Sequence, residues 1–202
     1  MEPNHTDIGK TLQASLHFKG TTMARIPLVT DAAAGEAQAL LSDIHGAFGA
    51  TPNMFRAVAH SPAALKSLWG SFGALGGGVV SAQLGEQIAV AVADRNACGY
   101  CLAAHTALGR KAGVSAADMA AAQAGESADP RTAAALRFAL KLVDARGQVD
   151  DADVQALRSV GFDDAHIVEI LAHVALNLFT NYVNVAFAVP VDFPGVKLRA
   201  VA

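Results

Sequence analysis

Of 202 residues only two are cysteine and one is tryptophan, and aromatic side chains make up 6% of the chain. Two cysteines cannot form the disulfide framework of a small secreted domain, and a chain this long, with 52% apolar residues, can bury one sizeable core without staples. Charge is also scarce. Charged residues are 16% of the total, the net charge is −3, and the basic ones are scattered, which speaks against nucleic acid and against a polybasic membrane patch. Mean hydropathy is high at +0.33, yet Ala, Gly and charged residues interrupt every apolar stretch before the roughly 18 residues a membrane helix needs. Residues 1–22 lack the basic start, apolar centre and cleavage site of a secretory signal, so a cytoplasmic protein is expected. They also lack helical periodicity, while MARIPLVT from Met23 reads as an ordinary start. The expected organisation is an extension or misassigned start over 1–22 and a single helical domain over 23–202. Strand signals are absent, as are a dinucleotide fingerprint and a haem-attachment motif. Gly76, Gly77 and Gly78 lack the GK[ST] of a phosphate loop and read as a turn.

The two cysteines are not scattered. They occupy Cys98 and Cys101, with Glu86 upstream and His105 downstream. Two cysteines placed at random in about 200 positions fall three apart roughly one time in a hundred. On a helix, Cys98, Cys101 and His105 stand at i, i+3 and i+7 and share a face, with Cys101 and His105 one turn apart. Ser81 caps an earlier helix carrying Glu86, and Asn96 offers a break that sets Cys98 at or near a new helix start. Amides and the helix dipole there favour a thiolate, so an acidic thiol is expected. Glu86 is positioned to hold the His105 imidazole and raise its basicity. Three readings remain open on these residues: a redox dithiol, a pair of inert core cysteines, and a zinc site, for which one CxxC and one His give three ligands. Covalent haem is excluded because Leu102 follows the second cysteine.

The rest of the chain reads as short helices divided by caps and glycines. A helix over about 32–48 ends at Gly49. Thr51 and Pro52 start a second, and Ser61 and Pro62 start one that runs to about Leu75. Helices near 82–95 and 98–112 form a central pair closed by Gly113. Ser115 with Asp118, Asp129 with Pro130, and Asp150 with Asp153 start three more, and Asp163 opens a long helix that runs to Pro190. Leu136, Leu140 and Val143 form an apolar stripe on the helix after Pro130. On the last helix His173, Asn177 and Asn181 share one face and are candidate polar ligands or satisfied interior groups. Phe55, Trp69 and Phe72 read as core, and His45 and His60 lack supporting neighbours. Apolar content this high, spread over helices with little charge, implies a homo-oligomer.

Glu86, Cys98-Gly99-Tyr100-Cys101 and His105 fit the pattern E-x11-C-x2-C-x3-H, and by it the chain resembles the AhpD-like branch of the carboxymuconolactone decarboxylase superfamily. TPNMFRAVAHSP and NYVNVAFAVPVDFP resemble its peroxidase-related subgroup, so the likeness covers most of residues 24–195. The resemblance implies an all-α, AhpD-like helical bundle with a central CxxC-bearing helix pair, assembled as a trimer or hexamer. It also implies a thiol peroxidase or disulfide reductase of antioxidant defence. Cys98 and Cys101 would cycle between dithiol and disulfide while Glu86 and His105 relay protons. The expected partners are a small hydroperoxide and a thiol or dithiol protein reductant, and no cofactor or metal is expected. The alternative is a non-enzymatic binding or zinc-binding module on the same scaffold. Gly99 and Tyr100 stand where some family members carry a His between the cysteines, so one basic group of the relay is missing.

Overall fold

The computed structural model describes residues 24–30 and 35–199, so the expected extension over 1–22 lies outside the described residues. Among the described residues the protein is helical throughout: α1 (Glu36–Phe48), α2 (Asn53–Val58), α3 (Pro62–Gly76), α4 (Ala82–Arg95), α5 (Gly99–Lys111), α6 (Ala116–Gln123), α7 (Pro130–Asp144), α8 (Asp151–Ser159) and α9 (Asp164–Ala186). None of these helices is long and apolar enough to cross a membrane.

Local chemistry sets most of the boundaries. The side chains of Ser61, Ser81, Ser115, Asp129 and Asp163 each accept a hydrogen bond from an amide in the first turn of the helix that follows. Asp150 and Asp153 form a reciprocal capping box at α8. Gly49, Gly113 and Gly161 stand past helix ends with φ of 75°, 94° and 86°, conformations that only glycine adopts without strain.

Two expectations need correction. Thr51 does not cap α2: its hydroxyl is engaged by the His45 ring at 3.2 Å, and Pro52 stands at the N-cap. The final helix stops at Ala186, before Pro190, because Ala188 turns left-handed and the Val189 amide closes back on Asn184 O at 3.0 Å. The expected stripe on α7 does face inward: Leu136 is fully buried and Leu140 and Val143 pack, partly buried, against the core, with Ala134, Ala135, Phe138, Ala139 and Leu142 buried beside them.

α4 is the axis of the molecule. Gln87 and all residues from Ile88 to Ala93 are buried, and the helix packs against α5, α6, α7 and α9. Alanines on α4 and α5 let the pair lie close. At Gly109 a side chain would begin 2.6 Å from the Met119 sulfur and 3.3 Å from Glu86 Cβ. Leu102, two turns before Gly109 on α5, is fully buried in the core. Leu102→Ala is expected to cost about 2–5 kcal/mol through lost burial and a residual cavity. Urea unfolding at fixed protein concentration measures it, and a loss under about 1 kcal/mol would show that α5 is held mainly by other contacts.

Candidate active site

The turn between α4 and α5 builds the site. Asn96 caps α4, Ala97 turns left-handed at φ 53°, and two amides close back on the helix, Ala97 N to Asp94 O at 3.0 Å and Cys98 N to Ala93 O at 2.9 Å. This is a Schellman ending with alanine where glycine is usual. Cys98 therefore lies outside the α5 helix, as its N-cap. Its sulfur accepts the Cys101 amide at 3.3 Å, the role that an oxygen plays in most caps. Both cysteines stand as free thiols in the structure and are almost wholly buried.

Their environments differ. Asn184 Nδ2 donates to Cys101 Sγ at 3.1 Å, and the Cys101 thiol faces Thr180 Oγ1 at 3.9 Å. The Thr180 hydroxyl donates to Asn177 O at 3.1 Å, which leaves its lone pairs toward the sulfur. A hydrogen bond from Cys98 lowers the Cys101 pKa below the ordinary thiol range. Burial opposes that shift, while His105 and the amides of Asn184 and Asn181 add to it. Cys98, as donor in that bond and buried, is pushed up. The thiol at the helix start is thus the less acidic one, because its partner takes the stabilising donors.

His105 Nδ1 meets Glu86 Oε2 at 2.7 Å across the α4–α5 contact. Burial disfavours a charged His105 ring, but the Glu86 charge and hydrogen bond, with a contribution from Cys101, raise its pKa above the ordinary value. His105 reaches Cys101 through charge; its strong hydrogen bond goes to Glu86.

Two cavities flank His105, with Phe72, His105 and Thr180 in the wall of both. One, of about 40 Å³, reaches Cys101 and is otherwise lined mainly by apolar groups such as Phe48, Phe55, Leu108 and Phe193. Phe55 and Phe72 pack at 5.7 Å as core residues should, yet they also form a wall beside the sulfur, a second role not expected from the sequence. The other cavity, of about 150 Å³, touches Glu86, His173 and Asn177. Thus Glu86, Cys98, Cys101 and His105 do converge, and His173 and Asn177 stand on the far side of His105. Asn181 instead accepts from Asn96 at 2.9 Å and braces the turn. His45 and His60 bond Thr51 and Pro27 O and lie away from the site.

Asn184 and Thr180 were not singled out from the sequence. The available signal was the spacing of Asn177, Thr180, Asn181 and Asn184, a polar stripe on an otherwise apolar helix. Among the described residues no group of three or more His, Cys, Asp or Glu side chains is arranged to hold a metal ion.

The model of the carboxymuconolactone decarboxylase family matches residues 62–145, which include Glu86, both cysteines and His105. No curated protein matches the chain in sequence. Among solved structures it is similar to an uncharacterized peroxidase-related protein with an alkylhydroperoxidase AhpD core from Ralstonia eutropha JMP134. That pair shares 28% identity and a TM-score of 0.76 over 84% of this chain and 93% of the other. A peroxidase-related protein from Silicibacter sp. TM1040 shares 27% identity and a TM-score of 0.75 over 90% and 96%. The debrominase Bmp8 has the same fold at 18% identity, with a TM-score of 0.70 over 86% and 93%, so the scaffold alone does not fix the reaction.

Cys101 is expected to alkylate with a midpoint below the ordinary thiol value of about 8.5, its thiolate fraction rising with pH through the lowered pKa, and Cys98 only at higher pH. Asn184→Leu removes a donor to the thiolate and is expected to move the Cys101 midpoint up by about one unit. Site-resolved iodoacetamide labelling against pH checks both, and an unmoved midpoint would remove Asn184 from the account.

Proposed function

The chain belongs to the carboxymuconolactone decarboxylase superfamily as an AhpD-like member, and from that premise we propose that it reduces small hydroperoxides with the Cys98–Cys101 dithiol. The observation that carries the reading is the asymmetry of the two thiols: Cys101 is acidified by four polar neighbours beside a small apolar cavity, and Cys98 is held as a neutral thiol next to it.

In the first step the Cys101 thiolate attacks the terminal oxygen of the hydroperoxide and the O–O bond breaks. The alkoxide takes a proton from His105 and leaves as an alcohol, and Cys101 becomes a sulfenic acid. The Cys98 thiol then displaces that hydroxyl as water and closes the disulfide. An external thiol or dithiol protein supplies two electrons to reopen it. Glu86 holds the His105 tautomer and balances its charge as the proton moves. The apolar lining of the Cys101 cavity suits the alkyl group of a small organic hydroperoxide. With a substrate disulfide in place of the peroxide, Cys101 would attack one of its sulfurs, Cys98 would resolve the mixed disulfide, and the substrate would leave as two thiols, which is a disulfide reductase.

Cys98→Ser and Cys101→Ser are each expected to lower hydroperoxide reduction, assayed with a dithiol donor, by at least about a thousandfold. Glu86→Gln is expected to lower it by about 10²-fold with the fold intact, within the usual range for a proton-transfer group. Either cysteine variant matching the parent rate would refute the proposal.

Assembly is part of the same reading. Val168, Leu171, Phe179, Tyr182 and Val185 are exposed along one side of α9, an apolar face at helical spacing that a second copy would cover. We expect a homo-oligomer, a trimer or hexamer, in light scattering at micromolar concentration, and a smaller species for the double variant Leu171→Glu, Tyr182→Glu. A monomeric parent would contradict this.

A further inference from the structure

The cavity on the far side of His105 does not touch either cysteine, yet it is the more polar of the two. His173 Nε2 and Asn177 Oδ1 are buried there without a hydrogen-bond partner, although Asn177 as a whole is only 4% exposed. Buried polar atoms are rarely left unpaired, and a space of about 150 Å³ holds several waters, each of which needs about 10–15 Å³. The walls also include Glu86 and, at the surface, Gly76, Ser81 and Ala82, all three exposed. The cavity thus runs from solvent to the carboxylate that holds His105. His173 comes close to α4 because Gly85 gives way: a side chain at Gly85 would begin 3.2 Å from the ring. The other charged group near His173 is Glu169, whose carboxylate accepts the Val80 amide at 2.5 Å. Burial pushes the His173 pKa down, against the opposing charges of Glu169 and Glu86, which favours a neutral ring able to serve water as donor or acceptor.

Proton balance gives this space a task. In the reaction proposed above, the alcohol leaves with the proton from His105 and the water leaves with the proton of Cys98. Both stored protons are gone when the disulfide forms. The external thiols reopen the disulfide by attacking as thiolates, so they bring two electrons and leave their protons in solvent; two protons must then reach His105 and Cys98 separately, and the apolar cavity beside Cys101 offers no polar path for them. We propose that His173 and Asn177 hold a file of waters through which the Glu86–His105 pair exchanges protons with solvent. The inference rests on the proposed reaction for its purpose, but not for its existence. His173 and Asn177 are positioning residues: they touch neither the sulfur nor the substrate.

The test compares the parent with His173→Leu/Asn177→Leu, which dries the cavity, and with His173→Gln, which keeps a polar atom there. In the reduced protein, exchange of the His105 ring N–H with water, followed by NMR, is expected to slow at least tenfold in the double variant and to recover in His173→Gln. In rapid mixing with one equivalent of hydroperoxide, oxidation of the reduced protein is expected to proceed at the parent rate, because its protons are already in place. Re-reduction by a dithiol is expected to slow about tenfold and to gain a solvent deuterium isotope effect. Unchanged exchange overturns the inference, and so does equal slowing of both halves, which would mark a structural defect. A parent without hydroperoxide activity defeats the proposed function, while the exchange measurement still decides the port. Should the double variant not fold, the two single leucine variants carry the same comparison.

Discussion

Ala97 is held at φ 53°, a conformation that costs an L-residue roughly 1–2 kcal/mol, and the site follows from that one turn. It reverses the chain between α4 and α5 within three residues, so that Glu86 and His105, nineteen positions apart, meet at 2.7 Å. It also sets Cys98 just outside the helix, where a sulfur takes the place of a capping oxygen. The strain is offset by the two closing amide bonds and by Asn96, whose side chain is fixed on Asn181.

From that turn the electrostatics follow in order. Glu86 raises the basicity of His105, the charged ring and the amides favour the Cys101 thiolate, and the Cys98 thiol completes the set as donor. Burial works against charge on His105 and on Cys101 alike, and both shifts survive it because each group has a partner within hydrogen-bonding reach. Removing one member therefore changes the others.

Much of this was legible in the sequence, and the reason is range. Ser61, Ser81, Ser115, Asp129, Asp150 and Asp163 act on amides two or three residues away, and the Glu86, Cys98, Cys101 and His105 spacing is carried by two adjoining helices. Asn184 and Thr180 meet Cys101 across 83 and 79 residues, and no local pattern encodes that distance. Thr51 fails as a cap for a related reason, since a ring six residues away takes its hydroxyl. The end of α9 was misplaced because Pro190 is a conspicuous stop, while a left-handed alanine leaves no mark in sequence. The division of acidity between the cysteines was only partly legible: one helical turn to His105 favours Cys101, a helix start favours Cys98, and the tertiary donors all fall to Cys101.

α9 is an unusual helix: beyond Val174 its buried side is mostly polar, while its exposed side carries large apolar residues. Its inner side carries Asn177, Thr180, Asn181 and Asn184, and its outer side carries Leu171, Phe179, Tyr182 and Val185. In an ordinary surface helix the outer positions drift freely while the inner ones accept any apolar residue of the right volume. Here the inner positions need particular amide and hydroxyl groups, and the outer ones must stay apolar if they are to be covered. Few positions on this helix are left to vary without consequence, so a library of random substitutions should find α9 the least forgiving stretch of the chain, ahead of the more deeply buried α4.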